Sequence, residues 1–288
     1  MRKLSLILVI TLLLSLSACS DTSETSQIVA TTKPVYDLTY YLCADTDLSV
    51  GLLISESISC LHDYSLSVAQ VRNVEAAEVV VLSGAGLEDF MSDLLEDCDT
   101  VIDSSVGVPL LECTEQHEHN HHHHEADAHI WMDPRNAKIM AENICHELEK
   151  TYPQYAEPFR KNLISLVFAL DSLQAYGEKT LSSLSCREMI TFHDGFGYFA
   201  DAFDLTIAAA VEEESGGEAS AKELIHLIEL MQKQSIPAVF TEVNGSVSAA
   251  KIICAEIGAS SYALDMGMNG DYFTTMYQNI NTVKEALG

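Results

Sequence analysis

The stretch TYPQYAEPFRKNLISLVFALDSLQAYGEKTLSSL, residues 151–184, separates two halves of the chain that follow the same pattern. Apolar side chains recur along it at alternating spacings of four and three residues: Phe159, Leu163, Leu166, Leu170 and Leu173. This spacing places them on one face of an α-helix. A helix of about 30 residues would be about 45 Å long, which fits a rigid connection between two domains. It also fits a helix packed into the core of one domain, and the pattern alone leaves both interpretations open.

Short apolar runs alternate with helical patterns on both sides of this stretch. The strands predicted in the first half are 28–32, 50–54, 79–82 and 101–102. Those predicted in the second half are 189–192, 206–211, 238–240 and 262–264. Strands that alternate with helices in this way predict an α/β fold with parallel sheets.

The chain of 288 residues is strongly acidic, with 43 Asp and Glu against 15 Lys and Arg and a formal charge of −28. This charge argues against a nucleic-acid partner, because no basic surface would neutralise phosphates, and against electrostatic binding to anionic lipid. It suits a protein that attracts cations. No two cysteines are in Cys-x-x-Cys spacing, which excludes a zinc ribbon and a thioredoxin-type dithiol. The eight cysteines are Cys19, Cys43, Cys60, Cys98, Cys113, Cys145, Cys186 and Cys254.

The N-terminus has the layout of a secretory signal peptide. Two basic residues precede the apolar run Leu4–Ala18, which is shorter than the roughly 20 residues of a membrane span. A single-pass anchor is the alternative. The ending Leu16-Ser17-Ala18-Cys19 resembles the bacterial lipoprotein cleavage box, which implies removal of residues 1–18 and attachment of lipid to Cys19. Residues 19–27 are then a polar tether, and we expect a protein anchored outside the cytoplasmic membrane.

That compartment permits disulfides without requiring them, because seven cysteines remain beside the lipidated one and an odd number cannot all pair in one chain. Cys186 with Cys254 is one pairing that we consider.

A histidine-rich tract lies at residues 117–125. Six imidazoles in nine residues cannot pack into a core, so the tract is predicted to be a flexible loop with affinity for metal ions. Its internal position disfavours an engineered tag. The six are His117, His119, His121, His122, His123 and His124. His146 and His226 lie within helical patterns and are interpreted as surface residues.

Four other positions stand out by their context. His62 follows a predicted strand, His129 precedes a helix, His193 lies at a strand-to-helix turn, and Asp265 ends the last strand. Open α/β sheets bind ligands at the carboxyl ends of their strands. Two of the four precede the long helix and two follow it. For each histidine taken alone, a hydrogen-bonded surface residue is the alternative.

From about Ile28 to the C-terminus, the chain resembles the solute-binding lipoproteins of zinc and manganese ABC importers, the ZnuA-like family. The segment HIWMDPRN, residues 129–136, is similar to the family signature His-x-Trp-x-Asp-Pro-x-Asn. FHDGFGYF, residues 192–199, is similar to its third ligand segment, and FTE (240–242) and LD (264–265) match later ones. A histidine-rich loop before the second ligand is a trait of the zinc-binding members.

The resemblance implies two α/β lobes, each with a mostly parallel sheet flanked by helices, joined by one long α-helix. The N-terminal lobe would span residues 28–150, the linking helix 151–184 and the C-terminal lobe 185–288. It also implies that the metal lies between the lobes.

Carried over residue by residue, the resemblance makes His62, His129 and His193 metal ligands and Asp265 the fourth. Glu242 is the rival fourth ligand or a partner that orients one. The chain departs from the family in two loops: Tyr64-Ser65-Leu66-Ser67 replaces a stretch that contains proline, and a methionine follows Asp265 where proline is common.

Three neutral imidazoles and one carboxylate suit Zn²⁺ in a four-coordinate site, whereas Mn²⁺ prefers more oxygen ligands. The manganese-type members of the family carry glutamate at the third position, so His193 favours zinc. We therefore expect a monomeric zinc receptor that delivers Zn²⁺ to the membrane permease of an ABC importer and catalyses no reaction.

The alternatives are an extracytoplasmic zinc hydrolase and a manganese-binding receptor or adhesin of the same family. A hydrolase needs three protein ligands, an open position for water and a general base. Asp63 and Asp194 are the candidate bases. The sequence contains neither His-Glu-x-x-His nor Gly-x-Ser-x-Gly, and it offers no aromatic patch that would support an adhesin.

Overall fold

The computed structural model describes residues 26–55, 64–111, 126–211 and 220–288, and it contains two four-stranded parallel sheets. The N-terminal lobe is built on the first sheet, in the order β2-β1-β3-β4, and the C-terminal lobe on the second, in the order β6-β5-β7-β8. The strands are β1 (Ile28–Ala30), β2 (Val50–Leu52), β3 (Val79–Leu82), β4 (Val101–Asp103), β5 (Glu188–Thr191), β6 (Thr206–Ala210), β7 (Ala238–Glu242) and β8 (Ser260–Leu264). All eight were predicted from the sequence, with ends that differ by one or two residues. The α/β prediction with parallel sheets is confirmed.

Helices connect the strands and cover the sheets. Those of the N-terminal lobe are α1 (Lys33–Leu42), α2 (Val68–Ala76), α3 (Ser92–Leu95) and α4 (Pro134–Thr151). Those that follow are α5 (Ala156–Leu181), α6 (Gly197–Ala202), α7 (Ala221–Gln234), α8 (Ser248–Ile257) and α9 (Tyr272–Leu287). Within the part of the chain that the structure describes, no helix is both long and apolar enough to cross a membrane.

The long helix α5 is shorter than the predicted 151–184. Tyr152 leaves the helical region of backbone space (φ −124°, ψ 65°), and a 3₁₀ turn over Pro153–Tyr155 separates α4 from α5. The ring of Pro153 cannot continue the helical hydrogen bonds of α4. The remaining 26 residues form a helix about 39 Å long. At its far end, the Arg187 guanidinium donates to the carbonyl of Leu181 and closes the last turn.

One face of α5 is buried along its whole length. Its buried residues belong to an apolar core that extends into both lobes, from Ile28 in β1 to Phe240 in β7. They are Phe159, Leu166, Leu170, Leu173, Gly177 and Leu181. The helix therefore both joins the lobes and packs in their shared core. A second, smaller apolar cluster includes Ile190 and Val239 and lies on the other face of the C-terminal sheet, because side chains alternate along a strand.

The five cysteines within the described ranges are free thiols. Cys186 and Cys254 are among them, so the pairing considered from the sequence is not formed. The Cys186 thiol instead donates to the carboxylate of Glu188 at 3.4 Å. Burial raises the pKa of Cys43 and that of Cys145 to about 12, which keeps both thiols protonated.

Gly177 is a point of close contact between α5 and the ring of Phe203. A Cβ there would lie 2.2 Å from Cε1 of Phe203, a ring that is 3% exposed. We expect Gly177→Ala to lower the free energy of unfolding by about 1–3 kcal/mol through overpacking, although alanine favours helices. Urea unfolding measures this, with Ser172→Ala on the exposed face as the control. If the Gly177→Ala protein were as stable as the parent, the ring of Phe203 would be able to move aside and the prediction would be wrong.

Candidate metal centre

His129 lies immediately before a 3₁₀ turn (Ile130–Met132) that leads into α4. Asp133 caps that helix, because its carboxylate accepts a hydrogen bond from the Arg135 N–H at 2.7 Å, as expected of a helix-start aspartate. Proline follows the cap at the first helical position, where no hydrogen bond is lost. The sequence of this segment thus determines its local conformation and places His129 at a fixed point beside the N-terminus of α4.

His193 lies two residues beyond the carboxyl end of β5, in the C-terminal lobe. Its Nε2 atom is 3.4 Å from Nε2 of His129, and the two rings are nearly perpendicular, with centroids 5.2 Å apart. The fold therefore brings together two predicted ligands that are 64 residues apart and belong to different lobes.

The separation of these nitrogen atoms matches shared coordination of one ion. Imidazole nitrogens bind zinc at about 2.0–2.1 Å, so two of them at a tetrahedral angle lie about 3.3 Å apart. The observed separation of 3.4 Å is close to this value.

Asp127 orients the ring of His129. The Nδ1 atom of His129 is 2.8 Å from Oδ1 of Asp127, and the same oxygen accepts the main-chain N–H of His129 at 2.9 Å. An ionised carboxylate can only accept, so Nδ1 carries the proton and Nε2 keeps its lone pair for a metal. We did not single out Asp127 in the sequence, although a carboxylate two residues before a candidate ligand is a signal that could have been used.

Trp131 of the signature segment ties the two lobes together beside the histidine pair. Its buried indole N–H donates to the main-chain carbonyl of Met266 at 2.7 Å, and its own carbonyl accepts the hydroxyl of Tyr272 at 2.8 Å. The loop after β8, which carries Asp265, is therefore held against the N-terminal lobe. Met266, which replaces the family's proline, is 1% exposed.

Asp265 is held in place by neighbours on both its side chain and its main chain. Its carboxylate accepts hydrogen bonds from Gly267 N–H at 2.8 Å and from the Asn269 amide at 3.2 Å. The buried Asn279 side chain bonds to both the N–H and the carbonyl of Asp265. Glu242, the alternative to Asp265 as fourth ligand, is the last residue of β7 and is 4% exposed.

The structure brings His129 and His193 into contact, but it does not complete a four-ligand site. Within the ranges that it describes, no three His, Cys, Asp or Glu side chains form a group that could hold a metal ion. His62, the tract 117–125, Asp63 and Cys19 lie outside the described residues.

A second contact between the lobes joins α1 to the start of α9. The buried carboxylate of Asp37 accepts the main-chain N–H of Tyr272 at 2.9 Å, and the hydroxyl of Tyr41 donates to Asp271. Burial raises the pKa of Asp37, while the ammonium of Lys33 opposes the shift. Separation of the lobes on this side would leave buried polar groups without partners.

Glu88 stabilises a loop at the carboxyl end of β3. Its buried carboxylate accepts the hydroxyl of Thr31 at 2.6 Å and the N–H groups of Ser83 and Gly84 at 2.8 and 3.0 Å. Residues 84–86 all have positive φ angles, of 83°, 55° and 85°, and these bonds hold that conformation. Burial raises the pKa of Glu88 to about 7, although the three hydrogen bonds oppose the shift.

Residues 28–286 match the family described as zinc-uptake complex component A, periplasmic, abbreviated ZnuA. The chain belongs to the ZnuA family. The resemblance found in the sequence is thereby confirmed, and so is the two-lobe fold. A crystal structure of ZnuA superimposes with a TM-score of 0.81 at 26% identity, covering 92% of this chain and 100% of that one.

Two comparisons involve the zinc-binding lipoprotein AdcA of Streptococcus pneumoniae, which carries a ZnuA-like domain. The AdcA sequence of strain ATCC BAA-255 / R6 is 29% identical over 307 residues, covering 99% of this chain and 61% of AdcA. The chain thus spans less than two thirds of this relative. The crystal structure of the Zn(II)-bound ZnuA-like domain of AdcA superimposes with a TM-score of 0.78 at 26% identity, covering 91% of this chain and 99% of that domain.

Gly195 has no side chain, and this provides the space in which the rings of His129 and His193 meet. A Cβ there would lie 2.5 Å from the methyl of Met266, 2.8 Å from Cδ2 of His193 and 3.0 Å from Cε1 of His129. We expect Gly195→Ala to push the rings apart and to weaken zinc binding roughly tenfold or more, as for other changes that disturb ligand orientation. Competition with a chelator measures the affinity.

The matched control is Gly51→Ala, because a Cβ there is also crowded, but its nearest neighbour is the side chain of Ser26 and not a histidine. Equal zinc affinity in the two variants would contradict the role assigned to Gly195.

Proposed function

We propose that this protein is a zinc receptor that works outside the cytoplasmic membrane. It captures Zn²⁺ between its lobes, residues 28–150 and 185–288, with His62, His129, His193 and Asp265 as ligands. Glu242 is the alternative to Asp265. The observation that carries the proposal is the 3.4 Å approach of the His129 and His193 Nε2 atoms, because it joins the two lobes at the spacing of zinc ligands.

The donor atoms favour zinc over manganese. Both ligands that the fold brings together offer imidazole nitrogen, and the contact of the Asp127 carboxylate with Nδ1 leaves Nε2 of His129 directed toward His193. Manganese prefers sites that are richer in oxygen. The Zn(II)-bound domain of AdcA has the same fold, which supports the same cargo.

The partner that we propose is the membrane permease of an ABC importer. The family is described as one component of a zinc-uptake complex, so delivery to a further component is the natural consequence of capture. The formal charge of −28 raises the local concentration of cations around the receptor. We propose that the receptor acts as a monomer and catalyses no reaction.

Attachment to the membrane through lipid on Cys19 completes the proposal. The N-terminal run and the Leu16–Cys19 box are its basis in the sequence, and the pneumococcal relative is named a lipoprotein. A lipid anchor would keep the receptor close to its permease, with residues 19–27 as the tether that the sequence predicts.

The proposed ligand set predicts that zinc binding requires both lobes. With zinc and manganese offered together, the parent protein should hold one tightly bound zinc ion per chain. The variants His62→Ala and His193→Ala should each lose this ion, because removing one ligand leaves an incomplete site. His226→Ala is the matched control, since His226 is an exposed residue of α7. Metal content after dialysis measures all four proteins, and equal retention would exclude the shared site.

The histidine-rich tract is proposed to be an accessory. Deletion of residues 117–125 should leave the tight zinc in place and remove only weaker additional equivalents. The composition of the tract predicts a flexible loop, and closing a site in such a loop costs conformational entropy. Calorimetric titration of the deleted and parent proteins compares the number of sites and their affinities. Loss of the tight site on deletion would make the tract the primary ligand source.

A further inference from the structure

Tyr198 lies in α6 of the C-terminal lobe, but its hydroxyl bonds to the N-terminal lobe. The hydroxyl donates to the main-chain carbonyl of Asp127 at 2.9 Å and accepts the main-chain N–H of Leu111 at 2.9 Å. These two residues are also joined directly, because Asp127 N–H donates to the Leu111 carbonyl at 3.0 Å. The side chain of Tyr198 thus holds two segments of main chain from the opposite lobe, and Tyr198 is 2% exposed.

The residue that Tyr198 holds is the one that orients His129. Asp127 uses its main chain for the contacts with Tyr198 and Leu111 and its carboxylate for His129. Both Asp127 and His129 are 12% exposed in their side chains, so water competes little for these bonds. A displacement of the Asp127 main chain therefore changes the direction in which Nε2 of His129 points.

We propose that Tyr198 is a positioning residue for zinc capture, which acts through Asp127 on the ring orientation and tautomer of His129. The inference rests on the proposed function, since it concerns the same ion. It also gives the C-terminal lobe two connections to the centre: His193 faces the ion directly, and Tyr198 sets the ligand that the opposite lobe presents. The position of one lobe against the other thereby sets where the Nε2 atoms of both His129 and His193 point.

Tyr198→Phe isolates this role, because it removes only the hydroxyl and keeps the packed ring. Asp127 then retains its bond to Leu111 but loses the hydrogen bond that Tyr198 donates to it from the C-terminal lobe. We expect zinc affinity to fall about 3- to 10-fold, which is the effect of roughly one hydrogen bond. Asp127→Ala removes the orienting carboxylate itself and should cost about 10- to 100-fold.

The matched control is Tyr152→Phe. Tyr152 is also buried, at 6% exposure, and its hydroxyl donates one hydrogen bond, to Glu78 at 2.9 Å. It follows the C-terminal end of α4, whereas His129 precedes the N-terminal end of that helix. Loss of the Tyr152 hydroxyl should lower the free energy of unfolding by about as much as loss of the Tyr198 hydroxyl does. It should not change the affinity for zinc.

Two measurements are made on the full chain: zinc affinity by chelator competition, and the imidazole ¹⁵N shifts of the metal-free protein at about pH 8, where free histidine is neutral. The His129 signals are assigned with His129→Ala. In the parent, His129 should be the Nδ1–H tautomer, and Tyr198→Phe should shift it toward a mixture while weakening zinc binding. Tyr152→Phe should leave both readouts unchanged.

Parent-like affinity and tautomer in Tyr198→Phe would overturn the inference, as would an equal loss of affinity in Tyr152→Phe. The failure of the proposed function is distinguishable from either result. A parent protein that binds no tight zinc would refute the receptor, while the ¹⁵N shifts of the metal-free proteins would still report whether Tyr198 sets the state of His129.

Discussion

The burial of one face of α5 by both lobes is the constraint on which the rest of the structure depends. Because a single apolar core extends from β1 through this helix to β7, the lobes cannot shift along it without exposing apolar surface. Polar contacts can then be short and specific. The 3.4 Å approach of two nitrogens from different lobes is a consequence of that packing.

The apolar core sets the approximate position of one lobe against the other, and hydrogen bonds between the lobes fix that position more closely. Trp131 holds the loop of Asp265, Asp37 holds the start of α9, and Tyr198 holds the main chain of Asp127. The first two of these bonds are buried and the third is partly buried, so breaking them leaves polar groups with little access to water. The proposed ligands on separate polypeptide segments would thus be oriented before an ion arrives, which would reduce the ordering that binding itself requires.

Much of the fold and part of the centre were predictable because their causes are local. Apolar runs between helical patterns predicted all eight strands, and a helix was predicted to follow His129. Asp127 was not singled out, although it lies only two residues before His129, whereas the contacts of Gly195 and Tyr198 depend on residues distant in sequence. Gly195 resembles an ordinary turn glycine until the packing of Met266 and the two rings around it is known.

The sequence by itself determined the α/β class, the division into two halves, the histidines and the excess of negative charge, since these follow from periodicity and composition. Only the tertiary structure decided that α5 is both the connection and part of the core, because an apolar stripe does not specify what packs against it. The motifs around His129 and His193 predicted, through the family resemblance, that the two share a metal ion. Only the tertiary structure fixed their nitrogen atoms 3.4 Å apart, because that distance depends on the summed packing of many residues in two lobes.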